Sequence, residues 1–352
     1  VKSGFEHVLA IETSCDDTSV AIVRADGFVV ACLAANQDLA HMPFGGVVPE
    51  IASRNHTLQI LPLIDQLISK VGWSWEKIDG IAVTSRPGLL GSLLVGVVTA
   101  KTLALVYGKP LLGVNHLEAH LLAPFLFDDR NPRLADLAFP YLALAVSGGH
   151  TQLYHVKSVG EYVVLGRTVD DAAGEAFDKF GKHLGLGFPA GVQVDRESAS
   201  GNPKAYALPR TMTHEEGFDF SFSGLKSAGV RLIDSLPPDD RIKKRADLCA
   251  SFQAAVVDTL MSRLEKAAEA TGLQSVVLTG GVSANSRLRA QAKDWAIRHG
   301  HKLFVPPLQY CTDNAAMVGY AGIQRLRRGE QHGQNLGPSA ASAPSDFREA
   351  SR

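Results

Sequence analysis

Short apolar runs separated by polar, glycine-bearing turns set the rhythm of this chain. Residues 8–11 are apolar, residues 12–18 are polar and acidic, and residues 20–23 are apolar again. That pattern predicts strand, acidic turn, strand. The same order returns with residues 141–146, the turn Ser147-Gly148-Gly149-His150-Thr151, and residues 152–156. Two copies of one unit, each opening a domain, predict two α/β lobes facing each other across a cleft.

Between the copies the pattern predicts a helix over 56–71, a strand over 80–84 and the loop Ser85-Arg86-Pro87-Gly88. A small-residue helix over 89–106, a strand over 111–114 and a helical histidine segment over 115–122 follow. Polar and proline-bearing residues 127–139 mark a boundary near 135. The second half predicts a helix over 169–184, turns over 185–191 and an extended lid or loop over 210–225. Residues 236–244 read as a solvated connection and 248–269 as an amphipathic helix. Strands over 275–278 and 303–305 end in loops carrying Gly280-Gly281 and Asp313, and a helix follows from 314 to 326. The expected division is an N-terminal lobe, 1–135, with the histidines. A C-terminal lobe, 136–330, carries the glycine loops and Asp313, and 331–352 is a loose tail with little periodicity.

Composition narrows this picture only slightly. The 352 residues include 45% hydrophobic and 20% charged, ordinary for a globular chain with a real core. Thirty-five basic and 36 acidic residues leave a net charge of -1, so composition gives no support for nucleic-acid binding. A local patch or a partner subunit would have to supply phosphate contacts. Cys15, Cys32, Cys249 and Cys311 lack zinc-finger spacing and point to a reducing, cytoplasmic setting without disulfides. Residues 1–9 contain no signal-peptide core. The apolar stretches 89–98 and 103–106 are interrupted by Gly91, Ser92, Gly96 and Lys101, so no membrane span is expected. The same helix reads as a core element or as a homodimer surface.

Three features carry candidate chemistry. His116 and His120 stand four apart after a strand, so a helix would put both imidazoles on one face, able to hold one metal. Leu117 and Ala119 occupy the positions where zinc peptidases with this spacing need glutamate. Glu118 projects about 200° around the helix from His116 and cannot serve as base there. Asp313 is the best third ligand, with a helix N-cap as its plain structural alternative and Cys311 as a softer donor. The loops Ser147-Gly148-Gly149 and Thr279-Gly280-Gly281, with Asn285, offer backbone amides to a phosphate or carbonyl oxygen, and a hairpin turn is the alternative. No Walker A or dinucleotide fingerprint is present. Asp16, Asp17, Asp170, Asp171, Glu175 and Asp178 are candidate acids. Lys179 and Lys182 stand ready to pair with the later ones as a solvated face.

Long motifs in fixed order carry a resemblance. They are Ile11-Glu12-Thr13-Ser14-Cys15-Asp16-Asp17-Thr18, Gly45-Gly46-Val47-Val48-Pro49-Glu50, Asp170-Asp171-Ala172-Ala173-Gly174-Glu175-Ala176-Phe177-Asp178-Lys179, Gly280-Gly281-Val282-Ser283-Ala284-Asn285 and Thr312-Asp313-Asn314-Ala315. With the histidine segment and the 147–151 loop, the chain closely resembles the bacterial tRNA N6-adenosine threonylcarbamoyltransferase (TsaD) family over residues 8–326. The resemblance implies a two-lobed actin/sugar-kinase/heat-shock-ATPase-like fold with duplicated subdomains around a central cleft. It implies transfer of a threonylcarbamoyl group from threonylcarbamoyl-AMP to N6 of the adenosine 3′ of the anticodon, in tRNAs reading codons that begin with A. His116, His120 and Asp313 match the family's metal ligands, with Fe(II) preferred over Zn(II). Ala145, Val146, Ser147, Gly148, Gly149, Asp178, Gly191, Asp195 and Asn285 match its nucleotide contacts. Gly280 and Gly281 are added as amide donors, and Asp16 or Asp17 as aids to proton transfer. Implied partners are tRNA, a paralogous inactive actin-like subunit (TsaB-like) and a small P-loop ATPase (TsaE-like). One departure stands out: Pro189-Ala190-Gly191-Val192 replaces the family's usual Pro-Gly-Gly-Pro, and Ala190 lacks glycine's freedom at positive φ.

Three rivals are weighed. An actin-like small-molecule kinase would share the duplication and phosphate loops but leaves the His116–His120–Asp313 set unexplained. A metallopeptidase conflicts with Leu117 and Ala119. A nucleotide-sensing scaffold would bind adenylate and partners without turnover.

Overall fold

The computed structural model describes residues 4–212, 215–343 and 345–350. Strands run in chain order as β1 (His7–Glu12), β2 (Thr18–Arg24), β3 (Val29–Ala35), β4 (Gly80–Arg86), β5 (Leu111–Asn115), β6 (Tyr141–Val146), β7 (Thr151–Ser158), β8 (Glu161–Arg167), β9 (Ser275–Thr279), β10 (Lys302–Phe304) and β11 (Arg348–Glu349). Helices are α1 (Asp38–His41), α2 (Pro49–Val71), α3 (Leu90–Tyr107), α4 (His116–Leu122), α5 (Ala173–His183), α6 (Gly191–Ser198), α7 (Ser223–Ser235), α8 (Pro238–Lys243), α9 (Arg245–Thr271), α10 (Ser286–His299) and α11 (Ala315–Arg327).

The duplication expected from the apolar runs is visible in the sheets. The first has the order β3-β2-β1-β4-β5, and the second has β10-β9-β6-β7-β8-β11. In each, an opening strand pairs antiparallel with the next one and parallel with a later one, β1 with β2 and β4, β6 with β7 and β9. These strands are continuous apolar runs because helices cover the sheets, as parallel pairing requires. β1 is buried from Val8 to Glu12, and β6 throughout.

Two compact units divide the chain. The first comprises Val1–Leu137, Ser158–Tyr162 and Pro306–Arg348, the second Ala138–Lys157, Val163–Val305 and Glu349–Arg352. This corrects the expected division at its C-terminal end. Asp313 and α11 belong to the first unit, because Gly319 and Gly322 let α11 press onto Val23, Ala10 and Ala82 of the first sheet. The segment after 331 is not a loose tail. His332 accepts from the Gly113 amide at 3.1 Å, Leu336 is buried, and Asp346 forms a two-pronged ion pair with Arg86 at 2.6 and 2.7 Å. Sparse periodicity hid this because the segment is anchored by single side chains and backbone groups rather than by an apolar face.

In the first unit α2 starts with Pro49 at its first turn, where a missing N–H costs nothing, and ends on Gly72 in the left-handed region. Among the described residues, α3 is the one helix long and apolar enough to cross a membrane by length and composition. Here it packs Val97, Ala100 and Ala104 into the first core and buries Leu93, while Leu90, Leu94, Val98, Leu105 and Val106 are exposed.

The second unit departs from the predicted pattern in two places. α5 begins at Ala173 rather than near 169, because Asp170 is occupied elsewhere: it accepts from the Phe222 and Ser223 amides at 2.8 and 3.3 Å. α9, expected to be amphipathic, is buried on most sides from Leu248 to Ala268 and forms the spine of the second core. The expected lid is tied down at the described positions, where the buried Arg263 donates to the carbonyls of Met212, Glu215 and Gly217.

Candidate metal centre and glycine loops

The first unit gathers the histidine pair around one carboxylate. α4 starts directly after β5, with Asn115 as its N-cap: the Asn115 side-chain oxygen accepts from the Leu117 and Glu118 amides at 2.8 and 3.4 Å. His116 and His120 therefore stand one turn apart and project to the same side, their rings 4.7 Å apart and perpendicular. His120 Nε2 lies 3.0 Å and His116 Nε2 3.4 Å from Asp313 Oδ1. The three donor atoms lie within 4.8 Å of one another. Asp313 is not the helix cap that its position suggested. Asn314 caps α11, accepting from the Met317 amide at 3.0 Å, which leaves the Asp313 carboxylate to the imidazoles.

Sequence reasoning missed the residue that orients His116. Glu12, wholly buried at the end of β1, places Oε2 3.1 Å from His116 Nδ1. The same carboxylate accepts from the Thr84 hydroxyl and the Ser14 amide, each at 2.5 Å, and the Ser14 hydroxyl adds a contact to Nδ1 at 3.2 Å. Burial alone would raise the Glu12 carboxyl, but His116 outweighs it and holds it below the usual range. Burial likewise opposes charge on His116 and on Asp313. The facing carboxylates override it and raise the His116 ring, while the two histidines hold Asp313 down. A carboxylate behind a ligating imidazole is the arrangement that fixes ring orientation at metal sites. The signal was present in the sequence as an acidic residue ending an apolar strand, a position that a buried charge occupies only with a partner.

Asp16 and Asp17 follow on the β1–β2 loop. His56 of α2 braces it, its Nε2–H donating to the Cys15 carbonyl at 3.0 Å while the Thr18 hydroxyl closes on Nδ1 at 2.7 Å. Burial raises Asp16 and, with the charges of Asp16 and Asp313, pushes Asp17 up to about 7. Asn36 donates to Asp17 at 2.9 Å. An acid whose folded value lies above its unfolded value takes up a proton on folding, so stability falls as pH rises from about 4 to about 7. Metal-free Asp17→Asn protein is therefore expected to melt higher than wild type at pH 8, with the difference vanishing by pH 4. Thermal melts across that range check it, and equal melting at pH 8 rejects the raised value.

The second unit holds the glycine loops. β6 and β9 are parallel neighbours, with Ala145 opposite Thr279, so Ser147-Gly148-Gly149 and Gly280-Gly281 leave the same edge of one sheet. Ser147 closes the first loop onto His150, its amide donating to the His150 carbonyl at 2.8 Å. Gly280 takes φ +85° and ψ 163°, and a Cβ there would lie 2.4 Å from the Val146 carbonyl oxygen. Gly280→Ala is expected to cost about 1–3 kcal/mol or more, since that backbone region is essentially reserved for glycine. Denaturant unfolding of the variant measures it. Asn285 caps α10 and donates to Asp195 at 3.2 Å and to buried Gln253 at 3.0 Å, while Ser286 Oγ donates to Asp195 at 2.7 Å. Beside them a cavity of about 420 Å³ is lined by Ser198, Gly201, Gln253, Ser286, Arg287 and Ala290.

The acidic residues in and just before α5 resolve into structural partners. Asp171 pairs with Lys179 at 3.3 Å and with Lys226, and Glu175 pairs with Lys179 at 2.6 Å. Asp178 accepts from the Ala190 and Gly191 amides at 2.8 and 3.1 Å, fixing the turn into α6. Ala190 itself has φ −91°, so the absent glycine imposes no strain, and its methyl packs on Gly181.

Comparisons with known proteins agree with these motifs. The sequence profile described as "tRNA N6-adenosine threonylcarbamoyltransferase" matches residues 28–320. A protein of that name from Bdellovibrio bacteriovorus is 56% identical over 343 residues, 97% of this chain and 99% of that one. Another from Anaeromyxobacter dehalogenans is 48% identical, covering 95% and 98%. Among solved structures, Thermococcus kodakarensis HypF superposes with a TM-score of 0.61 at 13% identity, covering 94% of this chain and 49% of that one. The (R)-2-hydroxyglutaryl-CoA dehydratase component A of Acidaminococcus fermentans gives 0.54 at 14%, covering 92% and 99%. At such identities these likenesses speak for the actin/ATPase-like fold alone.

Proposed function

The chain belongs to the tRNA N6-adenosine threonylcarbamoyltransferase family, and from that premise we propose a metal-dependent transfer in which His116, His120 and Asp313 hold one divalent ion. The observation that carries the proposal is the convergence of two imidazole nitrogens on one carboxylate oxygen, with Glu12 behind the first ring. This donor set fits Fe(II), the preferred ion, and also Zn(II). When bound, such an ion supplies Lewis-acid polarisation of a carbonyl or phosphoryl oxygen.

In the reaction the adenosine N6 forms a bond to the carbamoyl carbon. The bond from that carbon to the adenylate oxygen breaks, AMP departs, and N6 loses a proton. AMP is a good leaving group, so positioning the amine matters more than a strong side-chain nucleophile. Asp17, beside Asp16 on the β1–β2 loop, accepts the N6 proton. Gly148 and Gly149, with Gly280 and Gly281, present backbone amides to the adenylate phosphate of threonylcarbamoyl-AMP, and Ala145, Val146 and Ser147 line the same loop against the nucleotide. Asp195 and Asn285 take the nucleoside, and Asp178 holds Gly191 in place for it.

The target is the adenosine 3′ of the anticodon in tRNAs reading codons that begin with A. The exposed apolar residues Leu58, Leu61, Leu90, Leu94 and Val98 of α2 and α3 support docking of an actin-like inactive paralogue or a second copy of this chain. A small P-loop ATPase completes the assembly. Cys15, Cys32, Cys249 and Cys311 form no disulfide among the described residues, which fits a reducing, cytoplasmic setting. A kinase remains the second reading on fold alone, and the His–His–Asp centre has no role in it.

The test is a single-turnover reaction of the assembled complex with preformed threonylcarbamoyl-AMP and unmodified tRNA. Threonylcarbamoyl-adenosine and AMP appearing in equal amounts are expected. In a parallel reaction supplied with ATP and small hydroxylated substrates, phosphorylated products, with no modified nucleoside in the first reaction, would replace this reading with the kinase.

A further inference from the structure

Residues 332–343 trace a line along the open edge of the first sheet. β5 is the terminal strand there, and its outward backbone groups would otherwise be unpaired. The His332 amide donates to the Leu111 carbonyl at 2.9 Å, and the Gly113 amide donates to His332 Nδ1 at 3.1 Å. Leu336 then fills the space beside Gly113, where a Cβ would meet its Cδ1 at 2.4 Å. Lys101 Nζ donates to the Leu336 carbonyl at 3.0 Å, and the Ser339 amide to the Ser85 carbonyl at 2.9 Å.

Beyond it comes Asp346, whose carboxylate is nearly closed to solvent and fully engaged. It accepts from Arg86 Nε and Nη2 at 2.7 and 2.6 Å, from the Ala343 amide at 2.8 Å, and from Asn115 Nδ2 at 2.8 Å. The Ser342 hydroxyl takes a further Asn115 Nδ2 bond at 3.0 Å. Asn115 is thus held by its amide nitrogen while its oxygen caps α4. α4 has only seven residues, too few to hold its own shape in water. Where Asn115 sits decides where the helix begins, and His116 is its first residue, with His120 one turn on.

We propose that residues 332–343, together with Asp346, form a strap that sets the metal affinity of the His116–His120–Asp313 centre, with Asp346 as a positioning residue acting through Asn115. This rests on the metal reading above. Metal sites tolerate only a few tenths of an ångström in donor placement. A strap that fixes the first turn of α4 therefore acts on both imidazoles at once, from a segment that touches neither.

The experiment is metal binding rather than turnover. Full-length protein, stripped of divalent ions, is titrated with Co(II) and with Zn(II) against a chromogenic chelator. Asp346→Ala is expected to bind one ion with affinity weaker by about 10–100-fold, the usual loss when an outer hydrogen-bond partner is removed. Circular dichroism reports whether the fold is kept. Asn115→Asp retains the helix cap but sets two carboxylates face to face. It too is expected to bind more weakly, although the added negative charge would by itself favour a cation. The exchange variant Asn115→Asp/Asp346→Asn restores one donor facing one acceptor, and it is expected to recover most of the lost affinity. Recovery separates positioning from a general loss of stability, because the exchange leaves the Arg86 ion pair broken. If wild type binds one ion and Asp346→Ala binds it as tightly, the strap proposal falls and the metal centre stands. If wild type binds none, the metal reading fails and the strap falls with it.

Discussion

Asp313→Ala is expected to lower threonylcarbamoyl transfer by about a thousandfold or more while the protein stays folded. The size follows from the several kcal/mol that a Lewis-acid centre contributes to a transition state, each 1.36 kcal/mol being tenfold in rate. The fold survives because Asn314, not Asp313, caps α11, and because Asp313 is partly exposed at the end of a loop. What the substitution removes is the oxygen on which His116 and His120 converge at 3.4 and 3.0 Å. Quantifying bound metal alongside rate separates this from a purely electrostatic effect, since a metal-free Asp313→Ala protein is the expected product. Retention of one bound ion together with unchanged transfer would exclude Asp313 from the centre.

Glu12→Ala carries the second large effect, and here stability and function fall together. Glu12 accepts hydrogen bonds from Thr84 and Ser14 and faces His116, all of it buried. Removing one partner of a buried charge pair typically costs about 3–5 kcal/mol, because the remaining charge keeps its desolvation penalty. His116 would be left facing Asp313 alone, its ring free to turn, and metal affinity is expected to drop about 10–100-fold. Glu12→Gln keeps the shape and is expected to lose less stability while losing comparable metal affinity. Denaturant unfolding of the metal-free protein and chelator competition measure the two effects separately. If Glu12→Ala were as stable as wild type, the buried network described around β1 would be wrong.

The fold was readable in the sequence where burial imposes a period. The repeated strand–turn–strand units became β1–β2 and β6–β7 because strands covered on both faces must be apolar throughout. α3 was readable as a run of small and apolar residues, and Gly96 among them lets the helix lie against Thr13 just beyond β1. The segment after 331 was not readable. It is held by a histidine ring nitrogen, a lone leucine and one carboxylate, none of which makes a periodic pattern. Asp313 was assigned to the wrong unit for a related reason. Chain order placed it beyond the second set of strands, whereas packing of the glycines in α11 returned it to the first.

In the centre, the spacing of His116 and His120 carried its own meaning, because four residues is one helical turn. Asp313 stood out by residue type, but a cap and a ligand look alike in sequence. Only the Asn314 side chain separates them. Glu12 was visible only as part of a motif, and His56 only as the first residue of a predicted helix. Their roles come from contacts across 104 and 41 positions, to His116 and to the Cys15 carbonyl. Of the candidate acids, Asp171 and Glu175 pair with Lys179, as the nearby lysine suggested, whereas Lys226, the second partner of Asp171, comes from 55 positions away and left no local signal.

The most direct test of the account is transfer by protein stripped of divalent ions and then reloaded. The stripped chain is assembled with the proposed actin-like paralogue and P-loop ATPase, supplied with threonylcarbamoyl-AMP and unmodified tRNA, and the nucleosides are read by mass spectrometry. Loss of threonylcarbamoyl-adenosine on stripping, and its return with one equivalent of Fe(II) or Zn(II) in wild type but not in Asp313→Ala, is the predicted result. Undiminished product from verifiably metal-free protein would contradict it.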